Sequence, residues 1–247
     1  MKIILSPAKK MRSDPDSLPV WSSPVYLEKA RTLLSFLKSL SPEQLQKLWA
    51  CNDSIARQNT ERLQHMDLTH NLTPAILAYE GIAFQYMAPS VFEDAHFQYV
   101  QEHLRILSGL YGVLRPMDGV QPYRLEMQAK VQAGSCKNLY EFWGDDLYRQ
   151  VKGGVILNLA SKEYSQCIEK YLGPEDTFIT CVFGETVNGK LVQKGTFAKM
   201  ARGEMVRFLA EQQAENPEEA KNFHRLGYRF RRELSSDREY IFERIPQ

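Results

Sequence analysis

The stretch from His103 to Met127 limits what this chain can fold into more than any other. Leu104-Arg105-Ile106-Leu107-Ser108 begins it as an apolar, β-like run, and Gly109 and Gly112 bracket Leu110-Tyr111. Arg115-Pro116-Met117-Asp118-Gly119 follows as a turn in which proline fixes φ and Gly119 supplies a position with φ above zero. Gln121-Pro122-Tyr123-Arg124-Leu125-Glu126 then carries the chain out through groups that hydrogen-bond or bear charge. A segment that only connects has no need of Tyr111, Arg115, Asp118, Tyr123, Arg124 and Glu126 so close together. Loops on a rigid scaffold are common places for binding sites. A structural ion-pair cluster, with Asp118 paired to Arg115 or Arg124, would use the same residues to staple two elements. From the residues alone both readings stay open.

The rest of the chain supplies the scaffold. Lys2 to Leu5 reads as a short buried strand that releases Ser6-Pro7-Ala8-Lys9 at its end, and Pro15, Pro19 and Pro24 make residues 12–24 irregular. Leu27, Ala30, Leu33, Leu34, Leu37 and Leu40 fit a helical period over Val25 to Leu40. Ser41-Pro42-Glu43-Gln44 restarts a helix, with Ser41 as N-cap, Pro42 at its first position and Gln44 closing a capping box. That helix runs to about Cys51, Asn52-Asp53-Ser54 breaks it, and Ile55 to Met66 forms the next. Ala75 to Tyr79 reads as a strand, and Phe84 to Met87 and Ser90 to Leu104 as helices. Another helix starts in Lys137 to Asp145. Gly154 to Ser161 is a buried strand that delivers Asn158 and Ser161 to its C-terminal end before Lys162-Glu163-Tyr164 opens a helix. It repeats the grammar of Ile3-Ile4-Leu5-Ser6, and in α/β sheets ligands gather at such strand ends. Thr177 to Phe183, the Asn188-Gly189 turn and Lys190 to Gln193 form a hairpin. Ala198 to Gln213 is helical, and residues 228–232 and 239–244 alternate as a terminal hairpin. No linker or repeat divides the chain, so a single mixed α/β domain over 1–247 is expected, with a mixed sheet flanked by helices.

Composition narrows the function. A net charge of +1 leaves no global basic field, so nucleic-acid binding would need a local basic patch. No apolar run approaches the ~20 residues that span a bilayer. The segment before Ser6 is too short for a signal peptide. Cys51, Cys136, Cys167 and Cys181 form no paired motif and read as free thiols of a cytoplasmic protein. There is no Gly-x-Gly-x-x-Gly fingerprint, no phosphate-binding Walker loop and no Gly-x-Ser-x-Gly elbow. His65, His70, His96, His103 and His224 lack metal-ligand spacing, so neither cofactor nor metal is expected. What remains is Lys, Arg, Tyr and carboxylates at strand ends and turns, which fits a polar cleft for an anionic ligand without naming a reaction. Residues 42–64 read either as a helix-hairpin-helix, which grips a phosphate backbone, or as a plain αα-hairpin. The glycines expected in the first are absent.

Ser6-Pro7-Ala8-Lys9, the run from Leu104 to Asp118 and Gln121-Pro122-Tyr123-Arg124-Leu125-Glu126-Met127 together resemble the YaaA family of peroxide stress proteins. Leu139 to Asp145, Asn158 to Tyr164 and Ala198-Lys199-Met200-Ala201-Arg202-Gly203 extend the resemblance along the whole chain. Two places depart from the family pattern. Lys10 stands where threonine is usual, and Gly81-Ile82-Ala83-Phe84-Gln85-Tyr86-Met87 replaces Gly-Asp-Val-Tyr-x-Gly-Leu, losing a carboxylate and a tyrosine hydroxyl. The resemblance implies a bacterial cytoplasmic protein that limits iron-dependent oxidative damage. It also implies a single-domain fold with a positively charged cleft, and a DNA-binding helix-hairpin-helix, by position residues 42–64.

Two functional readings follow. In the first the protein binds duplex or branched DNA with little sequence preference. Lys9, Arg115, Arg124, Lys199 and Arg202 then contact phosphates in a cleft that Ser6, Asp118, Trp143, Asn158 and Ser161 also line. Tyr111, Tyr123 and Trp143 would supply walls or stacking surfaces. In the second the protein is an enzyme or small-ligand binder for an anionic or nucleotide-like molecule. Glu126, Asp145 or Glu163 would then serve as a base and Tyr111 or Tyr123 as an acid. An elongated basic groove favours the first reading; a closed pocket with carboxylates inside favours the second.

Overall fold

Short strands that are apolar on both faces need cover on both faces, and helices supply it here. The computed structural model describes residues 1–245. The chain begins with β1 (Lys2–Leu5) and β2 (Lys10–Met11), then α1 (Leu27–Lys38), α2 (Pro42–Trp49) and α3 (Asp53–His65). A compact passage follows, made of β3 (Thr73–Pro74), α4 (Ala75–Ala78), β4 (Tyr79–Glu80) and α5 (Ile82–Met87). Then come α6 (Asp94–His103), β5 (Leu104–Ser108), β6 (Gly112–Leu114) and β7 (Gly119–Val120). After these lie α7 (Leu139–Trp143), α8 (Asp146–Arg149), β8 (Val155–Leu159) and α9 (Lys162–Glu169). The chain finishes with β9 (Thr177–Val187), β10 (Lys190–Val192), α10 (Gly195–Gln212), β11 (Tyr228–Phe230) and β12 (Glu239–Arg244).

The main sheet has the order β11-β12-β9-β8-β1-β5-β6, with β10 paired to β9. Strands β1, β5, β8, β9 and β12 run parallel, and β6, β10 and β11 are antiparallel to their neighbours. Leu5 pairs with Ile106 on one side and Leu159 on the other. From β1 the chain reaches β5 on one flank, then returns to β8 on the opposite flank and continues outward to β9. The order therefore reverses between β1 and β8, and a crevice opens outside the C-terminal ends of strands at such a point. Ile3, Ile4 and Leu5 are fully buried at this centre, and one continuous apolar cluster extends from Ile3 to Phe242.

Local signals placed many element boundaries. Ser41 accepts from the Gln44 amide while the Gln44 side chain accepts from the Ser41 amide. Asn52 caps α3 through the Ile55 amide, and Asn188 and Gly189 both take positive φ in the β9–β10 turn. The terminal β11–β12 hairpin forms as expected.

Three expectations are corrected. The segment over Ala75–Ala78 is a single helical turn rather than a strand. A wholly buried apolar run has no periodicity to read, and Asp118 and Pro116 carbonyls accept the Ala75 and Ile76 amides. Helix α6 starts at Asp94 and not near Ser90, because Phe92 and Glu93 are extended and His96 Nδ1 accepts the Glu93 amide at 3.0 Å. Gly119 does not adopt positive φ. It pairs with Pro74 in β7, where a side chain would meet Val20 and Leu72 at 2.8 Å.

Gly203 fixes how α10 sits. A Cβ there would lie 1.8 Å from the Ala83 carbonyl oxygen, so only glycine lets α10 close on α5. Gly203→Ala should therefore destabilise the fold by about 1–3 kcal/mol, the usual cost of overpacking. Gly154→Ala meets no atom within 4 Å. It should change stability by no more than about 1 kcal/mol, in the stabilising direction. Chemical denaturation of the two variants beside the parent checks the contrast.

Candidate functional site

The crevice predicted by the strand order is a cavity of about 520 Å³. Its floor is the exit of β1 and β8. The Ser161 amide donates to Ser6 Oγ at 2.8 Å and the two hydroxyls lie 3.1 Å apart, so the two exits are clasped together. Residues 81–84 at the start of α5 form one wall, and Lys199 and Arg202 of α10 enter beside them. Glu163 and Tyr164, in the first turn of α9, come from another wall. Residues 123–126 complete the lining. That segment is pressed on the end of β5, since a Cβ on Gly109 would fall 2.4 Å from the Leu125 carbonyl. Beneath it the Tyr123 hydroxyl lies 2.6 Å from Ser108 Oγ and 2.8 Å from the Tyr79 hydroxyl, a buried chain of three hydroxyls. Burial pushes the Tyr123 phenol up to about 12, so it stays protonated at neutral pH.

Charges in the cavity are incompletely paired. Lys9 pairs with Glu126 at 2.7 Å, Arg124 reaches Glu126 at 3.5 Å, and Lys10 pairs with Glu80 at 3.0 Å. The Nε atoms of Arg124 and Arg202 are buried without any hydrogen-bond partner. Among the described residues Arg202 has no carboxylate within 4.0 Å, and burial lowers its pKa. Lys199 is exposed at the mouth. Glu163 is held above the ordinary carboxylate range by burial and by the neighbouring Glu126 charge, against Lys9 and the Gln128 amide, which donates to its Oε1 at 3.2 Å.

The cavity brings together Ser6, Lys9, Tyr123, Arg124, Glu126, Ser161, Glu163, Lys199 and Arg202. Arg115 and Asp118 lie elsewhere, on a separate cavity of about 180 Å³ with Ser22, Arg105 and Gln150. Asp118 is buried but makes no ion pair with Arg115 or Arg124, contrary to expectation. It accepts instead from Ser22 Oγ at 2.6 Å and from the Arg115 backbone amide at 2.8 Å, and burial raises its pKa. Tyr111 and Trp143 are core residues rather than stacking surfaces. The Tyr111 hydroxyl accepts the Gln121 amide, and Trp143 Nε1 donates to the Gly109 carbonyl. Asp145 lies outside the cavity, paired with Arg149 at 2.9 Å. Asn158 stays inside the sheet, donating to Thr180 and accepting the Ala160 amide.

Sequence reading missed Tyr79 and Ser108, which support Tyr123, and Tyr164 as a wall. Lys10 and Ile82 to Phe84, where the resemblance implied departures from the family pattern, also line the cavity. That expectation was the signal available for them. The 42–64 hairpin stands apart from the cavity. Glu43, Asp53 and Glu61 line the groove between its helices beside Arg57, and Asn52 already caps α3. Among the described residues no three His, Cys, Asp or Glu side chains assemble for a metal, and no helix is long and apolar enough to cross a membrane.

Comparison with known proteins gives a consistent family. A family model described as peroxide stress protein YaaA matches residues 1–234. A UPF0246 protein of Agathobacter rectalis is 64% identical over 246 residues, covering 99% of each chain. A UPF0246 protein of Desulfitobacterium hafniense is 55% identical over 244 residues, covering 98% of this chain and 97% of its own. One of Pediococcus pentosaceus is 50% identical over 244 residues, with 98% and 97% covered.

The raised pKa of Glu163 has a stability consequence. A carboxyl whose folded pKa exceeds its unfolded value favours the fold when protonated, and that contribution is lost as pH rises from about 4.5 through the folded pKa. Glu163→Gln should melt at a higher temperature than the parent at pH 7, and the gap should close as pH is lowered toward 4.5. Thermal melts across that window check both the sign and the convergence.

Proposed function

The chain belongs to the YaaA family of peroxide stress proteins, and we propose that it serves that response by binding a phosphate-bearing, nucleotide-sized anion in the cavity at the ends of β1 and β8. The observation that carries this reading is the pair of buried, unpartnered Nε–H groups on Arg124 and Arg202. Arg202 also lacks a counter-charge among the described residues, which costs a buried guanidinium several kcal/mol, and an anionic ligand would offset that cost. Guanidinium forks suit phosphate oxygens, and the 520 Å³ volume is in the range of small-molecule sites. Chemistry at the protein's own buried sulfur is disfavoured. Burial raises the Cys167 thiol to about 12 and pushes Cys181 up as well, whereas peroxide-reactive thiols need a lowered pKa.

A second reading, DNA binding that limits iron-dependent damage, is favoured by Lys199, exposed at the mouth without a carboxylate within 4.0 Å among the described residues. The neighbouring Lys9 and Lys10 are already paired with Glu126 and Glu80, which leaves few cations for a phosphate backbone.

Calorimetric titration separates the two. Inorganic phosphate, pyrophosphate and nucleoside monophosphates should bind, and Arg202→Gln should weaken the nucleotide about 10- to 150-fold, corresponding to a charged hydrogen bond of about 1.5–3 kcal/mol. Failure of all these anions to bind the parent protein removes the first reading. If DNA is the ligand, duplex affinity falls with a log–log salt slope of about −0.9 per contacted phosphate. Lys199→Ala should then make that slope shallower by about one.

A further inference from the structure

The cations of α10 and the carboxyl of Glu163 share this cavity without meeting. Lys199 and Arg202 arrive on α10, which Gly203 seats against Ala83. Glu163 arrives on α9, and Glu126 comes from the 123–126 segment already engaged by Lys9 and Arg124. Among the described residues neither α10 cation lies within 4.0 Å of either carboxylate. The Gln128 amide donates to Glu163 Oε1 at 3.2 Å, with Glu126 and Lys9 nearby, whereas Arg202 Nε has no partner. Arg202 and Glu163 therefore line one cavity as a guanidinium and a carboxyl, and among the described residues neither is in an ion pair.

A bare anion would satisfy Arg202 but leave Glu163 facing solvent or repelled. A bare cation would do the reverse. Buried polar groups left without partners are costly, so a site of this kind selects a ligand that completes both ends. Ile82, Phe84 and Leu125 supply apolar surface in the same cavity, suited to a flat ring.

Resting on the anion-binding reading, we propose that the ligand is two-ended, a purine nucleotide whose phosphate meets Arg202 and Lys199 and whose base presents paired N–H donors, as guanine does, to Glu163. The Gln128 amide donates to Glu163 Oε1, and each carboxylate oxygen has two lone pairs, so acceptor capacity remains for the ligand. Guanine offers adjacent ring and exocyclic N–H donors that a carboxylate accepts together. Adenine places a ring acceptor beside its amino group and would set that lone pair against a carboxylate oxygen.

Titration of the full chain with GMP, AMP and inorganic phosphate tests this. GMP should bind at least about tenfold tighter than AMP, and phosphate more weakly than either, one lost hydrogen bond to a charged group being worth about a factor of ten or more. Glu163→Gln should bring the GMP-to-AMP ratio to within about threefold while phosphate binding stays the same or tightens. Glu163→Asp, which keeps the charge but withdraws it by one methylene, should lower the ratio partway. It serves as the second test should the amide fail to fold. Equal affinity for GMP and AMP in the parent, or a ratio that survives both variants, overturns the two-ended ligand and leaves anion binding intact. Binding of none of the three overturns the anion reading itself.

Discussion

Everything at the cavity depends on how β1 is held between β5 and β8. Leu5 is in register with Ile106 and Leu159 at once, so the chain leaves β1 and β8 at the same level of the sheet. The Ser161 amide and both serine hydroxyls then clasp these exits. A slip of one residue would exchange the faces of β1 and carry Ser6 away from Ser161. The same register sets the height of Ser108 at the end of β5, and through it Tyr123 and Tyr79. The floor of the cavity is thus rigid because its backbone and hydroxyl hydrogen bonds leave β1 a single position.

The two cavities show how burial distinguishes support from function. At the smaller one, Arg105 is buried and lowered to about 10, but its guanidinium donates to the Gln101 and Leu104 carbonyls. Asp118 is buried there too, with Ser22 and a backbone amide as donors. Each group has found a partner within the chain, so that network reads as a staple. At the larger cavity Arg124 and Arg202 keep an Nε–H without one. Native interiors rarely leave such donors unpaired, and an anion in the cavity would complete these two.

Packing on α10 adds the second constraint. Gly203 brings that helix onto the Ala83 carbonyl, and Arg202, its chain neighbour, is carried into the cavity with it. Ile82 and Phe84 lie beside the same contact and keep this wall apolar. Among the described residues no carboxylate lies within 4.0 Å of Arg202, so its guanidinium has no internal competitor for an anion.

The sequence by itself determined the elements whose signals are local. Ser41, Pro42 and Gln44 start α2, Asn188-Gly189 turns β9 into β10, and Ile3-Ile4-Leu5 and Ile156-Leu157 could only be buried strands. It also put Ser6 and Ser161 at strand ends, because apolar runs that stop at a polar residue mark where a strand leaves its sheet. What tertiary structure alone decided is which of these ends meet. Arg115 and Arg124 are close in sequence yet face different cavities, while Arg124 and Arg202 are far apart and share one. Ala75 to Ala78 turned helical because carbonyls of the 116–118 turn were there to accept its amides. Local propensity fixes backbone shape one segment at a time. Strand order and helix contact, which depend on burying the whole apolar set together, decide which side chains share a site.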